Sequence, residues 1–437
     1  MDNIVIGLTG SWRSGCTTAA RYFVREHGFK EFSLSKLIID ILEGIDERNI
    51  KYTFGESVFE KEGLIKDKKG RRATAKELLK KVNKIGKLNN LEVREFLQNI
   101  GNAIREKKGN SYLVDIVIRS AKERGWLDEN IVIDGIKHVE ENEKLSSFFK
   151  NYYLININAS YEFRKDSEPD ISDNEFYEID LRDSEEKDKD GLRFGQQVSK
   201  CVDIADIVVL NNDRSEDGLP DFEKKLKTYL GLIKREPTWV VTPEEMFMTG
   251  AYNVSLRSRC LKRRVGTIIT KDNYIISSGF NDVPFTKEGI KSCAIKGECY
   301  REKTCGLFKQ PEWEEKSEPL DKKRANELLE SFKKHLDLCR ALHAEERAII
   351  QAAKFGGVSL EGATLYTTTF PCKLCAKKIV EVGIDEVIYC EPYPSEDTKN
   401  ILRQGGVSLK EFEGVKAKAY FKLYMVQGGR NDVRAMS

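Results

Sequence analysis

The chain has 437 residues, 40% of them hydrophobic and 33% charged, with 73 Lys and Arg against 71 Asp and Glu. That length predicts two domains or three, each able to bury its own core, and the charge balance favours a small ligand over long nucleic acid. No run approaches the roughly 18 apolar residues of a membrane span, and an acidic Asp2 beside an early glycine motif argues against a signal peptide, so a cytoplasmic chain is expected. Ten cysteines then point to metal ligands or buried thiols before disulfides.

In chain order, Ile4 to Leu8 reads as a buried strand ending at Gly10, followed by a helix from Thr17 to His27. Further buried strands are predicted at 130–134, Tyr153–Ile157 and Ile207–Leu210, with helical segments between them. Short apolar strands alternating with helices predict a parallel α/β sheet. Between Lys165 and Asp190 lie twelve acidic and four basic residues, which read as a solvated loop or as a lid over a phosphate site. A closing helix spans Leu219 to Lys234, and Arg235-Glu236-Pro237 marks the boundary between domains 1–235 and 236–437.

The second half opens with a helix from Thr242, then strands at Val265–Thr270 and Tyr274–Phe280 and a cysteine-bearing irregular insertion from Asp282 to Pro319. A helix from Leu320 leads to His343, and another spans Glu345 to Phe355. Strands at Thr364–Phe370, Glu386–Tyr389 and Val407–Phe412 alternate with helices at Cys372–Val382 and Asp397–Gln404. A helix between the last two strands predicts that they pair in parallel.

Chemistry concentrates in His343-Ala344-Glu345 and Pro371-Cys372-Lys373-Leu374-Cys375. Cys372 and Cys375 lie three apart at a helix start, so both sulfurs point to one side where the helix dipole favours thiolates. With His343 they give three ligands for Zn²⁺, leaving a fourth position for water whose pKa the metal lowers towards neutrality. Glu345, left outside the three ligands, is then placed to carry protons to and from the activated water. This pairing of motifs matches the signature of zinc deaminases. A closed zinc finger would need a further nearby Cys or His, and only Cys339 flanks the motifs closely.

From about residue 240 to 430 the sequence resembles the deoxycytidylate deaminase family, through Arg257-Ser258-Arg259-Cys260-Leu261, Val265-Gly266-Thr267, Ser278-Gly279-Phe280-Asn281, Leu342-His343-Ala344-Glu345-Glu346 and the Pro-Cys-x-x-Cys helix. The resemblance implies a cytidine deaminase-like α/β/α fold, a homo-oligomer, control by deoxynucleoside triphosphates, and contact of Asn281 with the nucleotide. As a residue alone, Asn281 reads as a turn position. Arg347 stands where many relatives have Asn, and it reads as a fork onto a phosphate or as a solvated helix residue. The resemblance implies a deoxycytidine nucleotide as substrate, and this departure leaves both the mono- and the triphosphate open. Cys260, Cys293, Cys299 and Cys339 match cysteines that some members place around a structural zinc, with His335 and Cys305 as substitutes; the alternative is a set of buried free thiols.

The front half carries Gly10-Ser11-Trp12-Arg13-Ser14-Gly15-Cys16-Thr17, the frame of a Walker A loop between strand and helix. Cys16 replaces the expected lysine and a thiol does not neutralise phosphates; Arg13 offers charge from within the loop. Ser14 and Gly15 complete the cradle, Thr17 is available for Mg²⁺, and Asp134 sits at a strand end as a Walker B acid would. Asp134-Gly135-Ile136-Lys137, Gly195-Gln196-Gln197, Ala205-Asp206 and Asn211 resemble P-loop nucleotide kinases, which implies ATP or a dNTP at the loop. The alternative is an inherited fold without activity.

A kinase-like P-loop domain before a deoxycytidylate-type deaminase resembles the bacterial antiviral deoxycytidine-nucleotide deaminases. That resemblance implies depletion of dCTP during phage infection, under a small RNA or phage-derived regulator. Three rivals stand beside it: a housekeeping dCMP deaminase fused to a nucleotide kinase, an RNA- or DNA-editing deaminase, and a zinc-bearing nucleotide sensor without turnover.

Overall fold

The computed structural model describes residues 3–43, 91–184, 196–213, 215, 217–236, 240–285, 289–301, 339–356, 358–391 and 396–424. The chain divides into two compact units, Met1–Pro237 and Thr238–Ser437. Among the described residues, no helix is long and apolar enough to cross a membrane.

In the first unit the strands are β1 (Val5–Thr9), β2 (Lys30–Ser33), β3 (Ile131–Asp134), β4 (Tyr152–Asn158) and β5 (Ile207–Leu210). They lie side by side in the order β5-β4-β1-β3-β2, each pair parallel. β1 and β3 are buried at every position, as strands covered on both faces must be. β2 escaped the sequence because its four residues, Lys-Glu-Phe-Ser, carry one apolar side chain on an edge position. Helix α1 (Cys16–His27) follows β1, and α2 (Leu34–Glu43), α3 (Leu91–Lys108), α4 (Tyr112–Glu123) and α5 (Val139–Phe148) follow in turn. Ile38, Ile100, Leu113, Ile116 and Leu145 from these helices close one core with Val5, Ile133 and Leu154 of the sheet.

The acidic stretch after Lys165 is not a plain loop. Helices α6 (Tyr161–Asp166) and α7 (Asp173–Ser184) occupy much of it. Phe176 is fully buried against Trp12 and Tyr161, so one aromatic anchor outweighs the polar composition around it. Its end, with Gly195, lies outside the described residues. α8 (Val198–Ile204) and α9 (Gly218–Ile233) complete the unit.

The second unit begins with α10 (Pro243–Ser255), started by a capping box in which Thr242 and Glu245 satisfy each other's backbone N–H. Its sheet runs β10-β9-β8-β6-β7, from β6 (Gly266–Lys271), β7 (Tyr274–Phe280), β8 (Thr364–Thr369), β9 (Glu386–Glu391) and β10 (Ser408–Glu411). β6 and β7 form an antiparallel hairpin turned by Asp272 and Asn273, both left-handed (φ 52° and 63°), the conformation a two-residue hairpin loop requires. β8, β9 and β10 are parallel, as the intervening helices α13 (Lys373–Glu381) and α14 (Glu396–Gln404) demand. Of the insertion, the short α11 (Cys293–Lys296) is described; the helix predicted from Leu320, with His335 and Cys305, lies outside the described residues. Helix α12 (Ala344–Phe355) packs on β7, and α15 (Ala417–Tyr424) closes the described chain.

Candidate metal centre and phosphate loop

Two helix starts build the centre. His343 is the residue before α12 and Cys372 the residue before α13, both extended, so each side chain leaves its helix at the positive end of the dipole. The two helices are tied by Glu346, which accepts from the His343 backbone N–H at 3.4 Å and from the Lys378 ammonium of α13 at 2.5 Å. Against the sheet, α12 approaches so closely that a Cβ on Gly279 of β7 would lie 2.1 Å from the Ala344 carbonyl oxygen and 2.5 Å from the Ala348 nitrogen. Only glycine permits that approach. It sets the depth of the helix that bears His343 and Glu345.

His343 Nδ1 lies 3.2 Å from Cys372 Sγ and 3.4 Å from Cys375 Sγ. The three ligand atoms fall within 4.8 Å of one another, the one such group among the described residues. Around tetrahedral Zn²⁺, with bonds of about 2.0 and 2.3 Å, a nitrogen–sulfur edge measures roughly 3.5 Å. The trio fits zinc. Neighbouring groups, first the hydrogen bond with Cys375 and then His343, hold the Cys372 thiol well below its usual range, which favours the thiolate a metal needs. The bond to Cys372 in turn raises His343.

Glu345 is 4% exposed, and its Oε2 accepts from Cys375 Sγ at 3.6 Å. Burial raises its pKa, with His343 pulling the other way. A carboxyl that holds its proton more tightly than an exposed one, beside the metal ligands but outside the trio, is placed to carry protons.

Residues 241–391 match the family described as the cytidine and deoxycytidylate deaminase zinc-binding region. The deoxycytidylate deaminase of Enterobacteria phage T2 is 33% identical over 36% of this chain and 86% of its own. The chain belongs to the deoxycytidylate deaminase family. The enzyme of that name from Schizosaccharomyces pombe is 31% identical over 47% of this chain and 53% of its own, so the chain spans about half the length of that relative. Among solved structures, a dCMP deaminase of cyanophage S-TIM5 aligns over 40% of this chain and 100% of its own at 24% identity, with a TM-score of 0.27 that carries no further inference.

The structure gives other predicted residues of this deaminase-family unit different work. Arg347 does not face solvent. Its Nε donates to the Phe280 carbonyl at 2.8 Å and its Nη2 to those of Asp282 and Val283 at 2.5 and 2.9 Å, while its plane lies over Phe280 and Phe285. The guanidinium braces the corner after β7, because carbonyls leaving a strand end need donors. Asn281 donates through Nδ2 to the Arg263 carbonyl at 2.8 Å, and its Oδ1 accepts from the Val265 N–H at 2.7 Å. Its amide thus closes the turn that the residue type alone suggested.

Cys260, Cys293, Cys299 and Cys339 are free thiols of intermediate exposure. Cys339 is raised by burial and by the nearby Cys260 and Cys293, yet no three of the four sulfurs lie within 4.8 Å of one another. Among the described residues, a second zinc at these cysteines is therefore not supported.

Glu391 had no signal in the sequence. Its carboxylate accepts from Thr369 Oγ1 at 2.9 Å and pairs with Arg263, and its carbonyl accepts from the Phe370 N–H at 2.8 Å. It fixes the end of β8, three residues before Cys372.

In the first unit, Gly10 to Thr17 turns from β1 into α1. Gly10 and Gly15 sit where a Cβ would lie 2.3 Å from the Ile157 oxygen and 2.5 Å from Asn211 Nδ2, and Gly15 is left-handed at φ 110°. Asn211 Nδ2 donates to the Ser14 carbonyl at 2.8 Å, and Thr17 Oγ1 donates to Asp134 Oδ2 at 2.9 Å. Burial, then Asp134, pushes the Cys16 thiol up to about 12, so it is neutral. Arg13 is ion-paired with Glu168.

Proposed function

We propose that the second unit hydrolyses the C4–amino bond of a deoxycytidine nucleotide, dCMP or dCTP, to give the uracil nucleotide and ammonia. The observation that carries this reading is the convergence of His343 Nδ1, Cys372 Sγ and Cys375 Sγ with the buried Glu345 beside them. These three atoms would hold zinc, which when bound supplies the Lewis acidity that activates water at neutral pH. Glu345 moves the protons: it takes one from the attacking water and places it on the ring N3 as the C4–O bond forms, then carries the remaining hydroxyl proton to the amine as the C4–N bond breaks and ammonia leaves. Burial of Glu345 raises its proton affinity, which suits alternate acid and base work. Resemblance alone supports a homo-oligomer and antiviral depletion of dCTP under a small-RNA or phage-derived trigger.

The first unit is proposed to be a P-loop, kinase-like domain that binds ATP or a dNTP and regulates the second. A glycine-rich turn between a buried parallel strand and a helix supports this, as does the Thr17–Asp134 pair, whose oxygens suit Mg²⁺ beside a phosphate. A neutral Cys16 where a lysine would stand favours sensing over phosphate transfer. The decisive experiment is ammonia release from dCMP, dCTP, CMP and a cytosine-bearing oligonucleotide by zinc-loaded protein, wild type beside Glu345→Ala. Release from a deoxycytidine nucleotide that is lost in the variant supports the reading. Release from the oligonucleotide alone selects an editing enzyme, and no release at all with intact zinc content selects a binding protein.

A further inference from the structure

The loop from Gly10 to Thr17 does not stand open to solvent on its cationic side. Three separate ties run from its tip to one segment, Tyr161 to Asp180. Trp12 stacks on Phe176 with centroids 5.3 Å apart and planes 26° from parallel. The Trp12 carbonyl accepts from Arg164 Nη1 at 3.3 Å, and Arg164 itself is clamped by Asp180 through both terminal nitrogens, at 2.5 and 3.0 Å. The third tie is the ion pair between the Arg13 guanidinium and the Glu168 carboxylate, with side chains 28% and 14% exposed.

Arg13 is an unusual residue to spend on a surface pair. Its backbone is left-handed at φ 67°, a conformation costing a non-glycine residue roughly 1 kcal/mol. Its Nε is buried without a hydrogen-bond partner, and burial lowers its pKa. Such a guanidinium has unused capacity for an oxyanion, and arginine matches carboxylate and phosphate with the same fork.

We infer that Glu168 is an internal stand-in for a ligand oxyanion on Arg13, so that a phosphate-bearing ligand binds the loop only by displacing Glu168 and loosening Tyr161–Asp180. This rests on the reading of the first unit as a nucleotide binder and adds an autoinhibitory contact to it. Binding is thereby coupled to a movable pair of helices. That is what a sensing domain without the loop lysine needs, because the binding energy is converted into displacement of a segment rather than into phosphate transfer.

The test uses full-length protein and Mg·ATP as probe. Calorimetry on Glu168→Gln, which keeps shape and removes charge, should show ATP bound roughly tenfold more tightly than by wild type, the worth of one charge-assisted hydrogen bond. On the wild type, saturating ATP should speed amide hydrogen exchange across residues 161–180. Equal or weaker binding by Glu168→Gln overturns the inference, as does exchange over 161–180 that ATP leaves unchanged or slows. Absence of ATP binding in both proteins refutes the nucleotide-binding reading itself, which separates the two failures.

Discussion

Replacing Gly279 with alanine should damage turnover through the backbone, without touching a metal ligand. The added Cβ would sit 2.1 Å from the Ala344 carbonyl oxygen, 1.3 Å short of the 3.4 Å at which ordinary contact begins. Neither partner is a flexible side-chain tip: the Ala344 oxygen and the Ala348 nitrogen are both backbone of α12. The helix must therefore retreat by about 1 Å or the strand must bend, at a cost of about 1–3 kcal/mol for overpacking. A 1 Å displacement of Glu345 relative to a substrate held elsewhere costs on the order of 10²-fold in rate. The assay is kcat for the deoxycytidine nucleotide alongside zinc content and thermal midpoint. The expected variant is folded, a few degrees less stable, and slowed in kcat far more than in zinc occupancy. Wild-type kcat together with a wild-type midpoint would refute the claim that this approach sets the depth of α12.

Other outcomes follow from the same structure. Glu345→Gln should lower kcat by about 10²- to 10⁴-fold, the range of a lost general acid–base group, while elemental analysis finds zinc retained; loss of the metal would make Glu345 a ligand. Arg347→Ala removes the side-chain donor to the buried carbonyls of Phe280 and Val283, and one of two donors to that of Asp282, which keeps the Leu342 N–H; it should cost about 2–4 kcal/mol of stability with little change in KM, as chemical denaturation and steady-state kinetics would show. A stable variant with KM raised tenfold would restore the phosphate role. Asp134 is raised by burial, so the folded protein keeps this proton where the unfolded chain has released it. Its contribution therefore weakens the fold as pH rises through that window. Asp134→Asn should melt higher than wild type at pH 7, and the gain should vanish below about pH 4, where both states are protonated. A gain that persists at low pH would assign it to something other than ionisation.

The metal centre was legible because its chemistry is local: two cysteines three apart at a helix start and a histidine capping another helix constrain their own geometry. The buried strands were legible from continuous apolar runs. For Arg347 and Asn281 the sequence left two readings open each, since whether a polar side chain meets ligand or backbone depends on which carbonyls the fold brings near. The Arg263 carbonyl and the end of β7 are far from legible in a motif. α7 hid behind its charge because one burial, Phe176 on Trp12, joins residues 164 positions apart, and no periodicity records such a partner. Gly279 stands in a motif, but its reason lies in a helix reached only after the insertion.

The residues that would grip zinc cap two different helices and stand 29 positions apart. An ion there is thus a removable staple, closing a loop whose entropy, by the relation used for disulfides, is worth about 3.5 kcal/mol. Loss of such an ion would cost the second unit stability as well as rate, so a chelator would lower its melting midpoint.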